Sequence, residues 1–289
     1  MIETFRVISI ASATDATAVP QHVAPAVYLL FFGALALGCR VYYRALGRLA
    51  NDGGRLRRDL LGFPDVPVLA VILAVLGLSV VSAWIVKSPE ATELKAEHIL
   101  AGAFQFAVFP IGILFFLYAR NVSVVEVFGL AKVRPLKALG YALGFLAALL
   151  PLFVLASEFA TRKLGSDAKL QPLVLLYQDA VRQQDWQVVL HTCLAAGVIA
   201  PISEEILFRG YLYQTLKRYI GAVPSAFIGA LLFAAIHNNA AGFPGLALLA
   251  LALTIAFEWS GSLLVPIIMH ATFNSMSLAW GAWMASRPL

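Results

Sequence analysis

The chain alternates between long apolar segments and short polar stretches over most of its length. About 20 apolar residues are needed for a helix to cross the ~30 Å hydrocarbon core of a bilayer. Eight apolar segments reach or approach that length, and the sixth and seventh are the shortest. They are residues 25–43, 66–86, 99–119, 138–157, 187–213, 223–238, 243–257 and 262–284. The pattern predicts an all-α, polytopic membrane helix bundle with about eight transmembrane helices.

The segments divide the chain into three regions. Residues 1–24 mix charged, hydroxyl and apolar side chains and are predicted to form a retained N-terminal arm. Residues 25–184 hold the N-terminal transmembrane helices, and the mixed polarity near 171–182 predicts an amphipathic segment at the membrane interface. Residues 185–284 hold the remaining helices and most of the candidate chemistry.

Composition supports the membrane assignment. Hydrophobic residues make up 61% of the chain and charged residues 13%, both far from the averages of soluble domains. The net charge of +5 comes from cations in short runs between apolar segments, where they set membrane orientation. This distribution does not favour nucleic-acid binding.

The distribution of cations predicts the orientation of the chain. Of 21 lysines and arginines, the predicted spans place twelve on one side and eight on the other, with Arg209 left inside a span. The first loop contributes five arginines between Arg44 and Arg58. Because cytoplasmic loops are enriched in Lys and Arg, the side with twelve cations is expected to be cytoplasmic and both termini are expected on the outer side.

Three polar clusters interrupt the apolar second half of the chain. They are Glu204-Glu205-x-x-x-Arg209, Phe233-x-x-x-His237 and His270-x-x-x-Asn274. An ionisable side chain at the bilayer centre costs about 2.5–3.5 kcal/mol on insertion scales, and such residues usually mark functional sites. The clusters therefore indicate chemistry inside the membrane.

Helical geometry separates the two adjacent glutamates. Glu205 and Arg209 are four residues apart on one helix face, in the order that favours an ion pair. Glu204 lies about 100° around the helix and can face a different environment. We therefore expect Glu205 and Arg209 to form a structural pair and Glu204 to be free for acid–base chemistry.

The spacing of the clusters predicts a shared site. Glu204 and His237 each lie ~24–26 Å along their helices from the turn at Gly221, at ~1.5 Å per residue. His270 and Asn274 are four residues apart and face one interior point. His270 is closer to its own turn, so convergence requires the earlier hairpin to extend beyond the membrane at Lys217, Arg218 and Tyr219.

Two other side chains carry simpler expectations. Phe233, one helical turn before His237, is expected to pack against it. Glu258, at the end of the seventh span, is expected to be a solvated helix end.

In order and spacing, the three clusters resemble the motifs of the CPBP intramembrane proteases. The resemblance rests on the stretches 204–210, 233–237 and 270–274, and it covers roughly residues 185–280. The family is also known for type II CAAX prenyl endopeptidases and for bacterial Abi proteins linked to bacteriocin immunity. The resemblance implies an all-helical membrane peptidase with a water-accessible cavity.

The resemblance also implies roles for individual residues. Glu204 and His237 would activate water, while His270 and Asn274 would hold the oxyanion of the tetrahedral intermediate. Such oxyanion donors are commonly worth ~3–4 kcal/mol each. Glu205, Arg209 and Phe233 would support the site.

The sequence leaves the use of a metal open. Glu204, His237 and His270 could supply three zinc ligands with a fourth position for water, and the family has often been called a metalloprotease. The chain has no H-E-x-x-H motif. The preferred interpretation is metal-free glutamate catalysis that requires no cofactor.

The expected substrate is a peptide or membrane-anchored protein, including prenylated types, and the expected location is a bacterial cytoplasmic membrane. One alternative function is a non-catalytic membrane scaffold or bacteriocin-immunity protein. Another is a transporter that uses the same polar residues as a proton or ion path. No pair of broken, Gly-rich half-helices recurs in the two halves to support a transporter.

Overall fold

The computed structural model describes residues 24–57, 59–85, 96–164 and 172–287. This part of the chain contains helices and no strand. The helices are α1 (Ala24–Asp52), α2 (Asp65–Ile85), α3 (Ala96–Ala119), α4 (Val124–Val127), α5 (Pro135–Leu164), α6 (Pro172–Gln183), α7 (Trp186–Ile220), α8 (Ala222–Ile236), α9 (Phe243–Ser260) and α10 (Leu264–Ala285). The all-α prediction is confirmed. The predicted arm, residues 1–24, lies outside the described residues except for Ala24.

Six of these helices are long and apolar enough to cross a membrane: α1, α2, α3, α5, α7 and α9. The sixth and eighth predicted spans correspond to α8, which has 15 residues, and α10, which has 22. At 1.5 Å per residue α8 rises only ~22 Å, less than the hydrocarbon thickness of ~30 Å. The chain is a multi-pass membrane protein, and the predicted count of eight is approximate.

The bundle packs around α5, which contacts α1, α9 and α10. A second core joins α7 and α8 to α2 and α3 through Phe208, Leu212 and Phe233. On the outer surface, large apolar side chains such as Leu29, Phe115 and Leu136 are mostly exposed. An apolar surface this extensive is suited to contact with lipid.

The helix α7 is irregular on both sides of the first polar cluster. A π-helical stretch at Ala195–Ile199 precedes the α-helical turn Ala200–Glu205, and a second stretch follows at Ile206–Tyr213. Pro201 lies between them and has no backbone N–H to donate. Because π-helical turns frequently occur at functional sites, this irregularity directs attention to Glu204 and Glu205.

The α1–α2 loop folds over the ends of α7 and α9. Glu258 on α9 accepts hydrogen bonds from the backbone N–H groups of Arg55 and Leu56, at 2.7 and 3.1 Å. Its other carboxylate oxygen accepts from Lys217 and from the Tyr213 hydroxyl. Gly54, with φ +80°, lies so close to the carboxylate that a side chain there would collide with it.

One sequence expectation is therefore wrong. Glu258 is 4% exposed rather than a solvated helix end, and its partner Lys217 is 1% exposed. The two residues form a buried ion pair. The sequence could not reveal this pair because Glu258 and the groups that bond to it come from three distant segments of the chain.

Candidate active site

The first polar cluster forms a chain of contacts with α10. Arg209 donates from Nη1 to Glu205 Oε1 at 2.8 Å and from Nη2 to the Ala250 carbonyl at 2.9 Å. The same Glu205 oxygen accepts from His270 Nδ1 at 2.9 Å. All three side chains are almost fully buried. Glu205 therefore links α7 to the histidine of the third cluster as well as to Arg209.

This arrangement fixes which nitrogen of His270 faces the rest of the site. Because a carboxylate only accepts hydrogen bonds, Nδ1 carries the proton in the bond to Glu205. His270 Nε2 then lies 3.8 Å from Glu204 Oε2. That distance is too long for a direct hydrogen bond.

Glu204 differs from its neighbour in its surroundings. Its side chain is 13% exposed, whereas that of Glu205 is 0% exposed. The buried Oε2 atoms of Glu204 and Glu205 both lack a hydrogen-bond partner within the described part of the chain. Buried polar atoms are rarely left unpaired, and the partial exposure of Glu204 makes its carboxylate the one of the two that water or substrate can reach.

His237 lies at the C-terminal end of α8, where the helix gives way to a turn. Its Nδ1 donates to the Phe233 carbonyl at 2.6 Å, so that Nε2 remains an acceptor. Asn238 follows with φ +45°, and the chain stays non-helical until α9 begins at Phe243. Non-helical backbone at membrane depth is tolerated where it is buried in protein or lines a water-filled cavity.

Phe233 packs at the centre of the cluster. Its ring centroid lies 4.7 Å from that of His237 and 5.8 Å from that of His270. The guanidinium carbon of Arg209 lies 4.8 Å from the same ring. The expected packing of Phe233 against His237 is present, and Phe233 also brings the second and third clusters together.

Asn274 contacts the irregular part of α7. Its Nδ2 donates to the Ala196 carbonyl at 2.7 Å. In the preceding π-helical stretch the N–H of Ala200 bonds to Ala195, five residues back. The next N–H in that pattern would come from Pro201, which has none. Asn274 therefore satisfies a carbonyl that Pro201 leaves free, and its second N–H remains available.

The structure thus brings Glu204, Glu205, Arg209, Phe233 and His270 together. His237 joins them through Phe233, and Asn274 lies one turn beyond His270 on α10. The sequence analysis missed the π-helical stretches and their link to Asn274. Pro201 within an apolar span, just before two glutamates, was the available signal.

The three proposed metal ligands do not form a metal centre in this arrangement. Among the described residues, no group of three or more His, Cys, Asp or Glu side chains is placed to hold a metal ion. The hydrogen bonds of His270 Nδ1 and His237 Nδ1 leave only the Nε2 atoms as possible ligands, and within the described part of the chain these are not grouped with a third such side chain. We therefore derive no catalytic step through a metal.

Comparison with known proteins supports the resemblance. Residues 186–276 match the family described as Type II CAAX prenyl endopeptidase Rce1-like. An Escherichia coli protein described as an uncharacterized 24.3 kDa protein is 34% identical over 98 residues, which cover 32% of this chain and 45% of that protein. The chain thus spans less than half the length of this relative. No solved structure matches significantly.

Proposed function

We propose that the chain is an intramembrane endopeptidase that cleaves peptide bonds of membrane-associated or prenylated-type substrates. The matched family is a protease family, and its match covers all three polar clusters. The multi-pass helical bundle is suited to a substrate that reaches the site from the bilayer. These observations support a hydrolase at the family level, and the residue roles below are our proposal.

Glu204 is the proposed general base. Its Oε2 has no hydrogen-bond partner among the described residues and lies 3.8 Å from His270 Nε2, and this observation carries the proposal because it leaves a carboxylate oxygen uncommitted beside the histidine of the third cluster. Glu204 would take a proton as water attacks the substrate carbonyl, and it would return that proton to the amide nitrogen as the tetrahedral intermediate collapses and the C–N bond breaks. His237, held through Nδ1, would present Nε2 as a second acceptor for the water. General bases of this kind contribute typically 10²–10⁴-fold to rate.

His270 and Asn274 are the proposed donors to the oxyanion. Asn274 has one N–H left after its bond to Ala196. His270 donates to the oxyanion when Nε2 is protonated, since its Nδ1–H is committed to Glu205. The carboxylates of Glu204 and Glu205 flank the ring and would balance its charge in that state. Glu205 and Arg209 are therefore positioning residues for His270.

A comparison of Glu204→Gln with wild type tests the proposal. The variant keeps the shape of the side chain and removes the base, so we expect cleavage to fall by at least ~100-fold. The measurement is quantitative proteomics of membranes from cells that carry wild type or variant, looking for fragments that disappear. Purified protein in liposomes is then assayed with peptides that reproduce those cleavage sites.

Glu158→Gln is the matched control, because Glu158 is another helical glutamate but pairs with Arg162 away from the site. We expect this variant to cleave like wild type. Equal cleavage by Glu204→Gln and wild type, at equal protein abundance, would contradict the proposal. Retention of a cellular phenotype by Glu204→Gln would instead favour the scaffold or immunity function.

A further inference from the structure

A polar cavity lies at the C-terminal ends of α1 and α9, and its lining includes none of the residues of the proposed active site. It has a volume of about 280 Å³, and its lining includes Arg48, Asp52, Arg55, Glu258 and Trp259. Both helices are candidate membrane spans that end at Asp52 and Ser260. The cavity is therefore placed where a membrane-spanning helix reaches the lipid headgroups.

Two arginines and a tryptophan form the wall of this cavity. The guanidinium carbons of Arg48 and Arg55 lie 4.5 and 5.5 Å from the centre of the Trp259 ring. Arg55 Nη1 also donates to the Trp259 carbonyl at 2.9 Å. Tryptophan is enriched at membrane–water interfaces, and stacking on its face leaves the arginine N–H groups free to bind an anion.

The charges around the cavity leave the arginines unneutralised. Among the described residues, neither Arg48 nor Arg55 forms an ion pair with a carboxylate. Glu258 is balanced by Lys217, and both of its oxygens already accept hydrogen bonds. Exposed Asp52 is the remaining acid in the lining, so two arginines face one unpaired carboxylate.

A third cation lies beside the same helix end. The Lys132 side chain packs over Gly261, the residue that follows α9, and it is exposed. Arg48, Arg55 and Lys132 thus surround the end of α9 on the face that the cation count predicts to be cytoplasmic. Basic pockets between transmembrane helices on that face bind anionic lipid headgroups.

We propose that this cavity binds the headgroup of an anionic phospholipid. The phosphate would accept hydrogen bonds from Arg48 and Arg55, while Trp259 keeps both guanidinium groups in place. The acyl chains would extend along the apolar outer surface of the bundle. The site is separate from the peptidase chemistry and does not depend on it.

Lipid binding to the purified full-length protein tests the proposal. Short-chain phosphatidylglycerol and phosphatidylcholine are titrated into detergent-solubilised protein and bound lipid is counted by native mass spectrometry. We expect wild type to prefer phosphatidylglycerol. Each Lys or Arg near an anionic surface is worth roughly fivefold in affinity. The variant Arg48→Gln/Arg55→Gln should therefore bind phosphatidylglycerol roughly 25-fold more weakly.

Arg287→Gln is the matched control. Arg287 also stacks on a tryptophan, Trp283, at 3.6 Å, but it follows α10 and does not line the cavity. We expect this variant to bind phosphatidylglycerol like wild type. If the double variant does not fold, as judged by thermal unfolding, the two single variants are compared instead.

Three outcomes would overturn the proposal. One is equal affinity of wild type for the two lipids, and another is equal weakening by Arg287→Gln and by the cavity variants. The third is competition by water-soluble glycerol phosphate at the concentrations at which phosphatidylglycerol binds, which would indicate a free phosphate ligand instead of a lipid. Weaker phosphatidylglycerol binding in the cavity variants alone would support the lipid site.

Discussion

At the scale of single residues, two adjacent glutamates differ in what surrounds them. Glu205 is fully buried, and one of its oxygens accepts from both Arg209 and His270. Glu204, about 100° around the helix, keeps a buried oxygen with no partner among the described residues. A glutamate thus anchors the structure at position 205 and, in our proposal, acts as a base at position 204.

We expect Glu205→Gln to destabilise the protein strongly. The substitution removes the charge that balances buried Arg209, and breaking a buried ion pair in this way costs about 3–5 kcal/mol. The measurement is thermal unfolding of purified protein in detergent. The matched control is Glu158→Gln, which breaks another i,i+4 pair with an arginine, one that is largely exposed. That loss should be about 0.5 kcal/mol or less. Similar losses for both variants would contradict the prediction.

At the scale of helices, contacts between distant elements decide where α7 and α9 lie. Lys217 donates both to Glu258 and to the Leu56 carbonyl, at 3.0 Å in the second case. Asp65, at the start of α2, accepts from Arg120 and from the Tyr211 hydroxyl, at 2.6 and 3.0 Å. These buried contacts fix one end of α7, and the π-helical stretches bring Glu204 and Glu205 to the site above it.

A double-mutant cycle tests the link between α7 and α9. Glu258→Gln leaves the Lys217 ammonium buried without its counter-charge, so we expect a loss of about 3–5 kcal/mol. Adding Lys217→Met removes the unpaired charge and should recover part of that loss. The coupling energy from thermal or denaturant unfolding should fall within about 0.5–3 kcal/mol. Additive effects of the two substitutions would show that the pair contributes nothing.

At the scale of the whole molecule, several loops meet at one end of the bundle. The α1–α2 loop contacts Lys217 and Glu258, and the backbone N–H of Leu263 donates to the Phe128 carbonyl at 2.9 Å. These are the segments that the cation count assigns to one side of the membrane. The structure therefore agrees with the prediction that these loops lie at one end of the bundle. That this end faces the cytoplasm stays a prediction.

Cysteine labelling of intact cells measures which end of the bundle faces the cytoplasm. Cys39 and Cys193 are free cysteines, so both are first replaced by serine. Asn51→Cys then reports on the arginine-rich end, and Ser286→Cys reports on the opposite end. Because cytoplasmic loops are enriched in Lys and Arg, a membrane-impermeant maleimide should label Cys at 286 in intact cells. It should label Cys at 51 only after permeabilisation. The reverse pattern would show that the topology is opposite to the prediction.

The amino-acid sequence was enough to predict the fold class and the candidate residues of the site. Hydropathy is a property of continuous segments, so it located the helices, although α8 is too short to be counted among the six clear spans. Helical periodicity predicted the Glu205–Arg209 contact because both partners lie on one helix. The three polar clusters predicted a candidate site because charges in apolar segments are rare and costly.

The partners that those residues find depend on how the helices pack in three dimensions. His270 and Glu205 are 65 positions apart, and Glu258 and Arg55 are 203 apart. No local pattern encodes contacts of that range, which is why Glu258 was wrongly expected to be solvated. The same long-range packing opened the cavity beside Trp259, and it placed Asn274 on the carbonyl that Pro201 leaves free. Burial and pairing depend on the whole bundle, whereas helix formation depends mainly on the segment.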